Sequence, residues 1–354
     1  MYIKDAKKLI KKLFAIQIKT GKRFSIELIS SPGVGKSEGV EQCAQELTQS
    51  LQREVACNPF FLSTVESFDV RGFPLPFTPE NGEPTMGFTK APWVPEEGQD
   101  FGLLFLDEFR QATHDVQKPA AELLLNGRVG DSELPKGWMV IAASNREKDR
   151  SGVQRELAFI TNRRMQIEIE AHLGSWVEWA EKKGIHWAAI AFAKHQPQIA
   201  FSNKVPDKPG PFATPRTLVQ ASYLIDELPM ELMTEATSGL LGEGAAAQFI
   251  AFLRVAQEVP DYADIVRDPE GTKLPPKDRP DAQYATMQMV AHCMDGRTSP
   301  EAMTYLQRMP QEFQVAGLKG ALRQHPQIAN SKPFGEWMMK NKELMVNANM
   351  MRDQ

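Results

Sequence analysis

Apolar residues recur along this chain in two rhythms, and the change from one to the other divides it. Residues 5–20 follow a helical period, with Leu9, Leu13 and Ile16 on one face and Gly21 as the stop. The run FSIELI (24–29) reads as a buried strand, followed by the turn SSPGVGKS (30–37) and a helix from about 37 to 52. Further strands are predicted at FFLSTV (60–65), LLFLD (103–107), MVIAA (139–143) and the alternating MQIEI (165–169). Helical stretches separate most of them, and that alternation predicts a parallel α/β sheet. Residues 67–100 are dense in Pro and Gly, with a turn at Glu80-Asn81-Gly82-Glu83. A structureless loop of that length is unusual in a compact domain, so it reads as an inserted, functional hairpin. NGRVGDSELP (126–135) reads as a second, shorter one.

After Glu170 the strand rhythm stops. Segments 174–183, 186–195, 215–227 and 243–257 are helical in pattern, and 197–213 is a loop rich in Pro and Lys. Five prolines between 258 and 281 mark a boundary, and the tail beyond is helical and Met-rich, with methionine as core filler. Three parts are therefore expected: an α/β core over 1–170, a helical lid over 171–258 and a helical C-terminal extension over 259–354.

Composition narrows the picture without changing it. Of the 354 residues 42% are hydrophobic and 24% charged, as in soluble globular chains, and the net charge of -4 exerts no general pull on nucleic acid or membrane. Charge is uneven, however: residues 1–23 carry eight Lys/Arg against one acid, Asp5. That is the solvated face of an amphipathic helix or a contact for nucleic acid or a partner. Three scattered cysteines fit a reducing compartment rather than a disulfide framework or a zinc site. No apolar run approaches the roughly 18–20 residues of a membrane span, and the N-terminal stretch lacks a signal peptide's apolar run. The cytoplasm is the expected location, with no membrane partner.

The chemistry concentrates in two motifs. Pro32, Gly33, Val34, Gly35, Lys36, Ser37 and Glu38 lie where a strand passes into a helix, the context of a phosphate-binding loop. Glycines let backbone N–H groups and the helix N-terminus face phosphate oxygens. Lys36 is expected on the β- and γ-phosphates and the Ser37 hydroxyl on Mg²⁺. Ser30 stands where the pattern GxxxxGK[ST] opens on glycine. The second motif, LLFLDE (103–108), is a buried strand that delivers Asp107 to the metal shell and Glu108 to the attacking water. Asn145, at the end of the 139–143 strand, holds the water, senses the γ-phosphate or simply turns the chain. Arg163 and Arg164, before the 165–169 strand, are surface charge or a finger offered to a neighbouring subunit. Arg216, at the start of a helix that Pro215 opens, sits against the helix dipole, which calls for an anionic partner such as ATP.

The order GxGKS, LFLDEF, AASN, NRR and ATPRTL resembles the MoxR-type AAA+ ATPases over roughly residues 20–255. Asp69-Val-Arg-Gly72-Phe-Pro74 looks like the entry to that family's hairpin insert, and LLLNGRVGDSELPKGW (123–138) like its second hairpin. The resemblance implies a P-loop NTPase fold: a parallel five-stranded sheet with helices on both faces, then a helical lid. It implies ATP and Mg²⁺ as cofactors, Lys36 and Ser37 as the phosphate-loop pair, Asp107 as metal ligand and Glu108 as catalytic base. Asn145 becomes the first sensor, Arg216 the second and Arg163 the arginine finger, with Arg164 its rival where the family often has Asn/Asp-Arg-Phe. It further implies a homo-oligomer, a hexameric ring, that remodels or activates a protein client, in some members beside a von Willebrand-type partner protein. A DNA-directed AAA+ motor and an ATP-gated scaffold with slow hydrolysis are the competing readings.

Overall fold

The structure is a computed structural model that describes residues 1–79, 82–149 and 164–341. The chain forms two compact units, Met1–Ala171 with Asn203–Val205, and His172–Ser202 with Pro206–Gln354.

The first unit is built on a five-stranded sheet of β1 (Ile26–Ser30), β2 (Ala56–Phe61), β5 (Phe101–Asp107), β8 (Gly137–Asn145) and β9 (Met165–Glu168), in the order β2-β5-β8-β1-β9. Every pairing in it is parallel. The expected fold class is thus the one found. Two small antiparallel ladders stand apart from this sheet: β3 (Pro74–Phe77) with β4 (Thr85–Phe88), and β6 (Arg128–Val129) with β7 (Ser132–Glu133).

The second strand begins four residues before its predicted place and ends at Phe61, after which Leu62–Thr64 turn as a 3₁₀ helix. The segment ACNPFF hid it, because Asn and Pro are poor strand formers. β2 is an edge strand of the sheet, where one missing N–H is tolerated, so Pro59 can stand within it.

Helix α1 (Ile3–Thr20) buries Ala6, Ile10, Leu13, Phe14 and Gln17, a face rotated from the one predicted, and Ile16 is exposed. Burying a side chain such as Ile10 or Phe14 contributes about 1.5–3 kcal/mol, and Gln17 is satisfied by donating to the Trp138 carbonyl at 2.7 Å. Two of the N-terminal lysines are engaged by α2 (Lys36–Leu51): Lys7 and Lys11 reach Glu46 at 2.6 and 2.5 Å. Arg23 donates to the carbonyls of Leu134 and Trp138 at 2.7 and 3.2 Å. Three of the eight basic residues of this stretch therefore help to hold this unit together.

Helix α3 (Ser67–Arg71) precedes β3, and α4 (His114–Asn126) lies between β5 and β6. The β3–β4 ladder leans on the β6–β7 turn through Asp131, whose carboxylate accepts the Phe88 N–H at 2.7 Å. Phe88 is half-buried there, whereas Phe73, Leu75, Phe77 and Met86 are each about half exposed.

The second unit is helical throughout its described residues: α5 (Leu173–Lys183), α6 (Trp187–His195), α7 (Pro197–Phe201), α8 (Pro215–Ser222), α9 (Met230–Leu241), α10 (Glu243–Ala256), α11 (Tyr262–Arg267), α12 (Pro280–Cys293), α13 (Ser299–Gln307), α14 (Gln311–Gln324) and α15 (Lys332–Lys340). Helix α9 is not expected from the sequence: Thr and Gly dilute its pattern, yet Met233, Thr237 and Leu241 form a buried i, i+4, i+8 stripe. Helix α8 stops at Ser222, five residues short of its predicted end. Met287, Met289, Met294, Met303 and Met309 are all core residues.

An ionic knot joins α5, α6, α12 and α14. Glu181, with no exposed side-chain surface, accepts from Lys194 and Arg323, each at 3.1 Å, and Lys194 also donates to Gln288 at 2.5 Å. Burial pushes the Lys194 ammonium below the usual lysine range, against the pull of Glu181. Among the described residues no helix is long and apolar enough to cross a membrane.

Candidate active site

Strand β1 ends at Ser30, and the chain turns through Ser31–Val34 before α2 starts. Gly33 and Gly35 take φ of 75° and 97°, in the left-handed region that a side chain resists, so both glycines meet a torsional demand. Val34 packs against the core cluster beneath the loop, anchoring it. The loop thus leads directly into the N-terminus of α2, whose first-turn N–H groups have no intrahelical partner.

Lys36, the first residue of α2, is nearly buried, and its ammonium donates to the Ser30 hydroxyl at 2.8 Å and to the Asn145 side-chain oxygen at 3.2 Å. The register explains the convergence, since Ser30 and Asn145 are direct partners across β1 and β8. Ser30, the departure from glycine, therefore supplies an acceptor for Lys36. Ser37 donates to the Asp107 carboxylate at 2.8 Å, and the other oxygen of Asp107 accepts the Glu108 N–H at 2.9 Å. Ser37 and Asp107 are hard oxygen donors side by side, which fits Mg²⁺, an ion that takes one or two protein ligands beside phosphate oxygens.

Glu108 adopts φ of 58°, in the left-handed region that non-glycine residues occupy uncommonly. The chain is held in it from both sides: the next N–H, of Phe109, donates to the Ala143 carbonyl at 2.9 Å, and the Ser63 hydroxyl donates to the Glu108 carboxylate. Ser63 has no signal in the sequence. It lies 45 positions from Glu108 and reaches it because Phe61 pairs with Asp107 where β2 and β5 end together. Glu38, half-buried in the first turn of α2, accepts a hydrogen bond from the Gln42 amide at 3.0 Å.

Of the three candidate arginines, two lie among the described residues. Arg164 is buried against Glu27, at 2.7 Å, and its guanidinium lies over the Phe109 ring at 5.6 Å. Arg163 and Asn162 lie outside the described residues. Arg216 belongs to the second unit, where it is exposed in the first turn of α8; Thr214 caps that helix by accepting the Thr217 N–H at 3.1 Å.

A parallel sheet in this order, with a glycine turn leading from β1 into a helix and an acidic pair closing β5, has the arrangement of P-loop nucleotide-binding folds. Among solved structures the chain is similar to the RuvB Holliday junction branch migration motor of Thermotoga maritima, at 15% identity and a TM-score of 0.39 over 75% of this chain and 74% of that one. It is also similar to the Aeropyrum pernix Orc1 protein in complex with DNA, at 12% identity and a TM-score of 0.38 over 87% and 83%. A third is PCH-2 of C. elegans, at 10% identity and a TM-score of 0.34 over 72% and 69%. Likenesses this distant assign this chain no substrate or partner. No family model matches the chain. No curated protein matches it either.

Proposed function

We propose that this chain is an ATP-hydrolysing, MoxR-like AAA+ ATPase that assembles as a homo-oligomeric ring, a hexamer, and remodels or activates a protein client. The observation that carries this reading is the convergence of Lys36, Asn145, Ser37 and Asp107 at one loop, with Glu108 beside them.

In this reading Pro32–Glu38 cradle the triphosphate, Lys36 neutralises β- and γ-phosphate charge, and Ser37 with Asp107 holds Mg²⁺. Bound Mg²⁺ supplies electrostatic relief to the charge that builds on the phosphates. Glu108 orients the attacking water and takes its proton, while Asn145 positions that water or reads the γ-phosphate. Arg163 acts as the finger and Arg216 as the second sensor. Residues 171–258 serve as the lid and 259–354 as the part that gives this protein its own partner.

The protein-client reading is favoured over a DNA-directed motor because three of the eight basic residues of the N-terminus, Lys7, Lys11 and Arg23, are engaged within the first unit. The test is hydrolysis of ATP by the purified protein. Turnover is expected in Mg²⁺, lost on chelation and indifferent to DNA. Salt-sensitive stimulation by DNA would shift the assignment to the DNA motor, and a negligible single-turnover rate would leave only the scaffold.

The β3–β4 ladder is the client contact in this proposal. Exposed apolar side chains gathered on one small element mark a surface made for binding, and Phe77 has 52% of its surface exposed. Phe77→Ala is expected to leave the melting temperature almost unchanged, since exposed positions cost within about 0.5 kcal/mol. It should nonetheless reduce ATPase stimulation by proteins retained on a Glu108→Gln form. Phe88→Ala should instead lower the melting temperature, because Phe88 is half-buried. A large loss of stability for Phe77→Ala with normal stimulation would make Phe77 an internal anchor and remove the client contact.

A further inference from the structure

One charge interrupts the apolar strand FSIELI, and the fold buries it completely. Glu27 sits on β1, between β8 and β9, with no exposed side-chain surface. A carboxylate there is tolerated only if it is paired and hydrogen-bonded. Its Oε1 accepts from Arg110 Nε at 2.8 Å and from the Ser144 hydroxyl at 2.6 Å. Its Oε2 accepts from Arg110 Nη2 at 2.8 Å and from Arg164 Nε and Nη2 at 2.9 and 2.7 Å. Burial pushes the Glu27 carboxyl up. The Arg110 hydrogen bond, the charges of Arg164 and Arg110, and the Ser144 hydroxyl outweigh burial and hold it below its ordinary value.

What makes this more than a buried ion pair is where the three partners lie in the chain. Arg110 is two residues beyond Glu108, Ser144 is the residue before Asn145, and Arg164 is the residue after Arg163. The cluster is also closed on itself: the Arg110 N–H donates to Ser144 Oγ at 3.2 Å, and Arg164 covers Phe109, the neighbour of Glu108. Three segments distant in sequence, each adjoining a group proposed to act on the γ-phosphate or its water, are fastened to one carboxylate. Glu108 in particular stands at φ 58° on the short bridge between Asp107 and Arg110, so the tether at Arg110 bears on its backbone.

We propose that Glu27 is a positioning residue for ATP hydrolysis, one that sets Glu108 through Arg110 and Asn145 through Ser144. The proposal rests on the ATPase reading above. Glu27 hydrogen-bonds neither Lys36 nor Ser37 and bears on Asn145, one of the two Lys36 contacts, only through Ser144; the Lys36 bond to Ser30 and the Ser37 bond to Asp107 are independent of it. Its loss should therefore spare ground-state binding of ATP and appear in the chemical step.

The test compares wild type, Glu27→Gln and Arg110→Lys in ATP affinity, single-turnover rate and melting temperature. Glu27→Gln keeps the shape of the side chain but not its charge; Arg110→Lys keeps the charge but cannot bridge both carboxylate oxygens. Each variant is expected to bind ATP within about threefold of wild type and to lose at least about tenfold in rate. The Glu27→Gln/Arg110→Lys double variant should lose no more than the worse single, because both act through one contact. If Glu27→Gln fails to fold, Arg110→Lys carries the test alone. A folded variant with a rate within about twofold of wild type overturns the proposal and leaves the ATPase reading standing. So does a rate loss matched by an equal loss of affinity and a lowered melting temperature, the signature of a merely structural residue. Absence of turnover in the wild type overturns the ATPase reading itself.

Discussion

Lys36→Ala is expected to abolish tight ATP binding, while Glu108→Gln keeps binding and loses turnover. The difference follows from what each side chain does before and during reaction. Lys36 is nearly buried and held by Ser30 at 2.8 Å and Asn145 at 3.2 Å, so its charge is already in place when phosphate arrives. A hydrogen bond to a charged group contributes about 1.5–3 kcal/mol, which sets a minimum loss of roughly 10–100-fold in affinity for the alanine variant. The phosphates also lose the ammonium partner that the proposed loop provides. Glu108 differs, because as the proposed base its carboxylate is needed only when water gives up a proton. Removing such a base costs about 10²–10⁴ in rate. Glutamine keeps an oxygen for the Ser63 hydroxyl and meets the same backbone demand at φ 58°, so the loop should stay as it is. Nucleotide affinity and steady-state hydrolysis, measured on both proteins, decide the matter. Equal loss of affinity in the two would contradict the division of roles.

The glycine turn after β1 and the strand that ends in Asp107 were legible because their signals are local. Glycines with φ of 75° and 97° are demanded by a turn only a few residues long, and four apolar residues before Asp107 announce a buried strand. What escaped the sequence depends on neighbours far along the chain. β2 was misplaced because Pro59 and Asn58 look like loop residues until the strand is known to lie at an edge. The inward face of α1 was rotated because Ile16 fits an apolar pattern as well as Ile10 does, and only the packing chooses. Ser63 carries no mark of its contact with Glu108, since hydroxyls are common at strand ends. Glu27 did carry one: a charge inside FSIELI had to be paired or costly, and its partners at 110, 144 and 164 could be named only once the sheet was assembled.

Arg163→Ala is expected to bind ATP nearly as wild type does and to turn over slowly, with a loss of about 10³–10⁵ if the arginine serves as a finger. Its neighbour is already occupied: Arg164 is buried on Glu27 of its own subunit, at 2.7 Å, and stacked over Phe109. A guanidinium so held cannot also be offered to another subunit, so under the finger proposal the role falls to Arg163. A finger that works in trans has two consequences. Specific activity of the unmutated protein should rise with concentration as subunits assemble. Mixing Arg163→Ala with Lys36→Ala, each inactive alone, should restore part of the activity, because some interfaces then join an intact phosphate loop to an intact finger. The magnitude is bounded by statistics: with equal amounts mixed at random, about a quarter of interfaces combine the two intact halves, against none in either pure protein. A finger acting on its own subunit's nucleotide gives no such recovery, since every active site then carries one lesion or the other. Activity of the mixture should therefore climb and pass through a maximum as the ratio of the two variants is varied. If mixing restores nothing where mixed oligomers demonstrably form, Arg163 works within its own subunit or not at all.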